Sequence, residues 1–129
     1  DSAVWSACFV DWERNDFAMH SLWISLETIK MVVGMAPETL AGVGWEMNDI
    51  DYFVSHQVGR SVQEHYLKKL GISKQKSVEM YPDYGNLTSA SMPACFDHLE
   101  QNCKLKKGTK ILMNSTGSGI VVSQGLYVV

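Results

Sequence analysis

The amino-acid sequence predicts an α/β fold in which helices pack on a mixed sheet. Stretches of helical periodicity alternate with short β-rich runs through the middle of the chain, which is the order typical of α/β domains. Two β-rich runs joined by a glycine-containing bend close the sequence and indicate one antiparallel pair. With 129 residues and 46% hydrophobic composition, the chain is long enough for one core and too short to expect two.

The first confident element is a helix that begins near Leu22. Apolar residues recur there at spacings of three, four and seven: Leu22, Leu26, Ile29, Val33 and Leu40. Ser21 is the predicted N-cap, and Gly42 and Gly44 form the predicted stop. Pro37 predicts a kink or two consecutive helices. Before this helix, residues 3–10 are compatible with a strand and residues 11–16 with a polar turn.

Two further strand–helix pairs follow. Residues 50–56 form a short β-rich run, and a helix with one apolar face (Val62, Tyr66, Leu67, Leu70) ends at Gly71. Residues 77–80 are a short strand candidate and residues 81–86 are dense in turn residues. The third helix is predicted over residues 89–102, with an apolar stripe formed by Met92, Cys95, Phe96 and Leu99.

The chain closes with two more β-rich runs. Residues 111–113 predict a strand, Thr116-Gly117-Ser118-Gly119 a bend, and residues 120–129 a last strand. The sequence contains no internal repeat.

Composition excludes several classes of function. The net charge is −3 and charged residues make up 19% of the chain, so nucleic acid and anionic membranes are not expected partners. A lysine group (Lys104, Lys106, Lys107 and Lys110) is interpreted as a solvated loop. No apolar run reaches the roughly 18 residues that span a bilayer.

The cysteines and the first residues indicate where the chain resides. Three cysteines without CxxC spacing favour a reducing compartment over a disulfide framework or a zinc site, so we expect a cytoplasmic protein. The first residues lack the layout of a signal peptide. Because the chain begins with Asp1, we expect it to be cut from something longer.

Three polar loop positions are predicted to share one site. His56 ends the first clear strand, Asn86 follows the next one, and the bend at residues 116–119 follows the third. If these strands are parallel, all three positions open on the same edge of the sheet. An imidazole can shuttle a proton, an asparagine amide can hold oxyanion charge, and a glycine bend exposes backbone N–H groups. A structural histidine, a turn asparagine and a plain hairpin remain alternatives.

Four motifs, which follow one another along the chain, favour a shared functional site over these alternatives. Residues 50–57, ending in His56-Gln57, resemble the strand-plus-"HQ" segment of β-ketoacyl-acyl carrier protein synthase III. Residues 67–72 resemble the family's "KKLG" helix end, and residues 84–93 resemble its "GNTSAASIP" segment. Residues 108–113 and 116–119 resemble its closing "PGD…VLL…FGxG" segment. The 30-residue interval from His56 to Asn86 also fits that family.

The resemblance implies a thiolase-type fold built of two similar α/β halves. Residues 1–129 would form the C-terminal half, with residues 1–21 unassigned and the cysteine nucleophile in an absent N-terminal half. The implied reaction is a Claisen condensation of an acyl-cysteine with a malonyl or acyl thioester, in fatty-acid or related lipid or secondary-metabolite biosynthesis. The substrates would be acyl-CoA and acyl carrier protein thioesters, without cofactor or metal. The implied full-length enzyme is a homodimer.

The same resemblance assigns roles to individual residues. His56 and Asn86 would stabilise the enolate by hydrogen-bonding the thioester carbonyl oxygen, and His56 would help lower the pKa of the cysteine. The backbone N–H of Ser118 would contribute to the oxyanion hole. Candidate carrier-protein or pocket residues are Gln57, Arg60 and Gly117.

Several positions depart from the family pattern. Val58-Gly59 stands where Ala-Asn is expected, Ser61 where an arginine is expected, and Thr116 where an aromatic residue is expected. The sequences His56-Gln57-Val58 and Gly117-Ser118-Gly119-Ile120 resemble those of the long-chain condensing enzymes of olefin biosynthesis and of other secondary-metabolism relatives. In these enzymes both substrates can be acyl-CoA thioesters. A non-catalytic thiolase-fold binding or scaffold module is the competing interpretation.

None of the cysteines is predicted to be the nucleophile. Cys8 lies in a segment that superficially resembles the nucleophile segment, but a polar stretch follows it, so we predict a buried strand residue. Cys95 lies on a helix stripe and Cys103 near that helix's end. A metal site built from His56, His65 and His98 lacks ligand spacing. We therefore predict that the chain alone does not catalyse condensation.

Overall fold

A computed structural model describes residues 8–103, 105–117 and 119–129, with only the backbone described for residues 8–10 and 16–19. The elements in chain order are β1 (Cys8–Asp11), β2 (Asp16–Met19), α1 (Ser21–Ala41), β3 (Tyr52–Ser55), α2 (Arg60–Leu70), α3 (Tyr81–Tyr84), α4 (Ser91–Asn102), β4 (Lys110–Gly117) and β5 (Val121–Val128). Among the helices of these ranges, none is long and apolar enough to cross a membrane.

The central sheet has three strands in the order β3-β4-β5. Strand β3 pairs in parallel with β4, and β4 pairs antiparallel with β5. The predicted mixed sheet is therefore confirmed. Strands β1 and β2 form a separate antiparallel hairpin. The turn predicted over residues 11–16 is therefore shorter than expected, because Asp11 ends β1 and Asp16 begins β2, and residues 17–19, for which no element was predicted, complete β2.

The strand predicted over residues 77–80 is reduced to one parallel bridge between Phe53 and Ser77. The Val78 N–H donates to the Phe53 carbonyl oxygen, but the N–H groups of Met80 and Tyr81 donate to the side chain of Gln57. A side chain has therefore taken the donors that a longer strand would need.

Helix α1 runs unbroken through Pro37 to its C-cap at Gly42, and it begins at Ser21 itself, with His20 in the N-cap position. The predicted apolar stripe was partly wrong. The buried residues are Thr28, Val32, Ala36 and Leu40, whereas Leu22 is 74% exposed and Leu26 is 55% exposed.

Helix α2 buries one face and stops at Gly71, as predicted. Gly71 has a φ of 69°, the left-handed conformation that commonly ends helices, and its N–H donates to the Leu67 carbonyl oxygen. Lys68 and Lys69 lie in the last turn, where positive charge interacts favourably with the helix dipole.

Side chains of the sheet alternate between two hydrophobic clusters. Phe53 and Leu112, which are register partners, pack with Val32 and Tyr66 under α1 and α2. The ring of Phe53 meets that of Tyr66 edge to face, with centroids 6.2 Å apart. The opposite face packs against α4 through a second cluster, whose buried members are Val54, Val78, Cys95, Leu99 and Ile111. Both faces are covered, so the loops that follow the strands are left to form a site at the sheet edge.

Candidate functional site

The three predicted loops meet at one cleft of about 830 Å³. Its lining includes His56 after β3, Asn86 and Thr88 before α4, and Gly117 and Gly119 around the bend after β4. The start of α1 and the start of α2 close the remaining sides. The prediction that these loops open on the same edge of the sheet is confirmed, because β3 and β4 are parallel and end side by side.

His56 is held at both its backbone and its ring. Its N–H donates to the Asn114 carbonyl oxygen at 2.8 Å, which continues the β3–β4 ladder by one residue. Its ring Nδ1 lies 3.1 Å from the Thr88 carbonyl oxygen. Because a carbonyl oxygen only accepts, we assign the proton to Nδ1, and the Nε2 of the neutral ring then carries a lone pair.

Asn86 is held by its carbonyl end. Its Oδ1 accepts a hydrogen bond from the Thr88 N–H at 2.8 Å, an Asx turn of the kind that asparagine favours. Since a backbone N–H only donates, the side-chain oxygen must face Thr88, and Nδ2 is the donor that Asn86 offers to the cleft. Gly85 precedes it with a φ of 69° and a ψ of −150°, a conformation that glycine adopts readily.

Thr88, which was not among the predicted site residues, connects His56 and Asn86. Its carbonyl oxygen binds His56 and its N–H binds Asn86, so one peptide segment orients both side chains. Thr88 has a φ of 51°, which is unusual for a β-branched residue. The Asx-turn pattern Asn86-x-Thr88 is the sequence signal that points to this N–H bond.

Ser118, the predicted oxyanion-hole residue, lies outside the described residues. Its neighbours Gly117 and Gly119 both line the cleft, and Gly119 has a φ of 105°.

The prediction that Gln57 faces a pocket or a carrier protein was wrong. Its side chain is only 2% exposed and is not among the residues that line the cleft. Its Oε1 accepts from the N–H groups of Met80 and Tyr81, and its Nε2 donates to the Val78 carbonyl oxygen and the Cys95 sulfur. The carboxamide is thus used entirely inside the protein.

Arg60 lies at the cleft, and its side chain is exposed at the first position of α2. Gly59 caps that helix with a φ of 153° and a ψ of 174°, a region that is essentially restricted to glycine. This backbone conformation therefore favours glycine at position 59.

The described cysteine side chains do not resemble an activated nucleophile. Cys95 is fully buried, and burial raises the pKa of its thiol to about 11. Cys103 is half-buried at the C-terminal end of α4. Neither lines the cleft, and the side chain of Cys8 lies outside the described residues. A thiol with a raised pKa has too little thiolate to attack a thioester efficiently.

The histidines other than His56 bond locally. The Nδ1 of His65 lies 2.6 Å from the Ser61 carbonyl oxygen, one turn earlier in α2, and His98 contacts Asn102 one turn later in α4. Within residues 8–103, 105–117 and 119–129, no three His, Cys, Asp or Glu side chains are grouped to hold a metal ion.

Comparison with known proteins identifies the family. Residues 40–128 match the family model described as 3-oxoacyl-[acyl-carrier-protein] synthase III C terminal. The chain is 35% identical over 97 residues to β-ketoacyl-[acyl-carrier-protein] synthase III of Chelativorans sp. strain BNC1, which covers 72% of this chain and 30% of that protein. The same enzyme of Clostridium botulinum strain Langeland is 30% identical over 112 residues, covering 84% and 33%. The chain belongs to the β-ketoacyl-[acyl-carrier-protein] synthase III family.

Solved structures agree with this assignment. The 3-oxoacyl-(acyl carrier protein) synthase III of Xanthomonas oryzae superimposes with a TM-score of 0.88 and 26% identity, covering all of this chain and 38% of that one. Cerulenin-bound OleA of Xanthomonas campestris gives a TM-score of 0.88 and 26% identity, covering 100% and 37%. The predicted thiolase-like α/β fold is therefore confirmed. The chain spans about a third of the length of the curated relatives that it matches.

Proposed function

We propose that this chain is the C-terminal half of a β-ketoacyl-acyl carrier protein synthase III-like condensing enzyme, with His56 and Asn86 as its catalytic side chains. The observation that carries the proposal is their arrangement: both line one cleft, and both are oriented by the backbone of Thr88. In this proposal the other half, which carries the cysteine nucleophile, comes from an N-terminal segment of the same protein.

The hydrogen bond to Thr88 dictates what the ring of His56 does. With the proton on Nδ1, the neutral ring accepts at Nε2, so it takes the proton of the cysteine thiol and leaves a thiolate. The thiolate attacks the carbonyl carbon of the first acyl thioester and forms the acyl-cysteine. The carrier leaves as a thiolate that takes a proton from solvent, so the imidazolium keeps its own proton. The imidazolium has two N–H donors, and its Nε2–H then hydrogen-bonds the carbonyl oxygen of the second thioester.

Asn86 supports the second half of the reaction. When a malonyl thioester loses CO₂, the electron pair of the broken C–C bond moves onto the thioester carbonyl oxygen and forms an enolate. The Nδ2 of Asn86 and the Nε2 of His56 stabilise this charge with two hydrogen bonds that strengthen as it develops. The enolate carbon attacks the acyl-cysteine carbonyl, the new C–C bond forms, and the cysteine leaves as a thiolate.

The bend after β4 completes the proposed machinery. During attack on the acyl-cysteine, negative charge gathers on its carbonyl oxygen, and backbone N–H groups are the preorganised donors suited to it. We assign this role to the backbone N–H of Ser118, since its neighbours Gly117 and Gly119 line the cleft. Gly117 shapes this wall, and Arg60 at the cleft edge is a candidate contact for an anionic carrier group.

The finer identity of the reaction belongs to the same proposal. The substrates are acyl-CoA and acyl carrier protein thioesters, no cofactor takes part, and the product enters fatty-acid or related lipid or secondary-metabolite synthesis. The full-length enzyme acts as a cytoplasmic homodimer. An acyl-CoA as the second substrate, as in head-to-head condensation, would use the same two side chains.

A chimera tests the proposal. Residues 1–129 replace the C-terminal portion of the Chelativorans relative, and free thiol and ketoacyl product are measured with acetyl-CoA and malonyl-acyl carrier protein. We expect turnover by the chimera, a loss of at least about 100-fold in its His56→Ala and Asn86→Ala variants, and none by the 129-residue chain alone. The matched control is His65→Ala, which removes an exposed histidine of α2 that does not line the cleft. A folded but inactive chimera, or robust turnover by the chain alone, contradicts the proposal.

A non-catalytic binding module is the second candidate, and one observation favours it. Gly59 and Thr116, which both line the cleft, depart from the family pattern. In this case the chain would bind a thioester without cleaving it. The chimera separates the two, because a binding module retains affinity for an acyl-CoA but gives no free thiol in any combination.

A further inference from the structure

We infer that Gln57 is a positioning residue that fixes the position of His56 relative to Asn86. Its catalytic meaning rests on the proposed function, but the structural effect does not. Gln57 directly follows His56 in the chain, and its side chain reaches across to the segment that leads to Asn86. It therefore connects the segment that carries His56 with the segment that leads to Asn86.

All parts of the carboxamide are engaged. Oε1 accepts from the Met80 N–H at 2.7 Å and from the Tyr81 N–H at 2.9 Å. Nε2 donates to the Val78 carbonyl oxygen at 2.5 Å and to the Cys95 sulfur at 3.3 Å. Met80 and Tyr81 are the N-cap and first residue of α3, whose N–H groups have no partner within that helix.

The linkage continues from α3 to the site. Helix α3 ends at Tyr84, Gly85 turns the chain, and Asn86 and Thr88 follow within the next three residues. Because Gln57 holds the start of this short segment, it determines where Thr88 presents its carbonyl oxygen to His56. No apolar residue can replace it, since both a donor and an acceptor are needed in the same buried place.

Gln63 provides a matched control. It is 1% exposed, against 2% for Gln57, and its side chain also makes buried hydrogen bonds. However, it connects Ser55 to Ser77 and does not reach the segment from Val78 to Thr88. The substitution Gln63→Leu should therefore weaken the fold without reorienting the site.

The test uses the isotopically labelled 129-residue chain and NMR of the His56 ring at alkaline pH, where imidazoles are neutral. The wild-type ring and the Gln63→Leu ring should carry the proton on Nδ1. In Gln57→Leu we expect loss of the Nδ1–H tautomer and shifts of the Asn86 and Thr88 amide signals. A His56 ring and a Thr88 amide that are unchanged in Gln57→Leu would overturn the inference.

A second variant keeps the test valid where Gln57→Leu does not fold. In Gln57→Glu, a neutral carboxyl can still donate one hydrogen bond and accept others, whereas a carboxylate would face the Val78 carbonyl oxygen with no proton to donate. We expect a wild-type-like Thr88 amide signal near pH 4 and its displacement at pH 8. A Thr88 signal that matches the wild type at both pH values contradicts the inference. These NMR signals require no turnover. An inactive chimera therefore does not affect the NMR test, and a negative NMR result does not affect the chimera test.

Discussion

The Nδ1 of His56 lies 3.1 Å from the carbonyl oxygen of Thr88, a residue 32 positions further along the chain. This hydrogen bond selects the tautomer of the ring and directs Nε2 away from Thr88. The N–H of the same threonine holds Asn86, so a single residue with an unusual backbone conformation organises the candidate site.

Replacing Thr88 by glycine should leave the free energy of unfolding unchanged or raise it by up to about 1.5 kcal/mol. The left-handed conformation costs a residue with a Cβ about 1–2 kcal/mol, and the greater freedom of glycine in the unfolded chain offsets about 0.4–1 kcal/mol of the relief. Ser89→Gly, at a neighbour without positive φ, should lower stability instead. Urea denaturation followed by fluorescence compares the two, and a clear loss of stability in Thr88→Gly would show that its φ is unstrained.

Gly59→Ala should destabilise the chain by about 1–3 kcal/mol, although a Cβ at this position would meet nothing within 4 Å. The cause is the φ of 153°, which side chains rarely adopt. Gly34→Ala is the matched control, because it also meets open space but lies inside α1, where alanine should add about 0.5–1 kcal/mol. Thermal unfolding by circular dichroism gives both values. Equal effects of the two substitutions would rule out the backbone explanation.

Two leucines of α1 should respond differently to alanine. Leu40 is 2% exposed in the core cluster, so Leu40→Ala should cost about 2–5 kcal/mol. Leu26 is 55% exposed, so Leu26→Ala should stay within about 0.5 kcal/mol of the wild type. Chemical denaturation of the 129-residue chain measures both. A large cost at Leu26 would mean that this face of α1 is covered in solution.

Cys95 should react slowly with iodoacetamide in the folded chain. A rise in the thiol pKa from 9.0 to about 11 leaves about 100-fold less thiolate at pH 8. Folding stability should also fall as pH rises from about 9 to 11, because the unfolded chain releases this proton before the folded chain does. Peptide mapping after timed alkylation distinguishes Cys95 from the half-buried Cys103. Rapid labelling of Cys95 in the native chain would contradict its assignment as a buried structural thiol.

The sequence by itself predicted the α/β class, the mixed sheet, the helix ending at Gly71 and the meeting of the His56 and Asn86 loops. These features depend on local periodicity, on glycine chemistry and on the rule that parallel strands end at a common edge, and all three can be recognised without coordinates. The motifs around His56 and Asn86 also identified the family, which residues 40–128 confirm.

Only the tertiary structure decided which face of α1 is buried, where Gln57 points and what holds the site together. Leu22 and Leu26 satisfy helical periodicity and yet are exposed, because periodicity does not say which neighbour covers a stripe. Gln57 is adjacent to a site residue and yet its carboxamide serves the N-terminus of α3, 23 residues further along the chain. Thr88 meets His56 across 32 residues of sequence. Such contacts depend on the packing of distant segments, which no local pattern encodes.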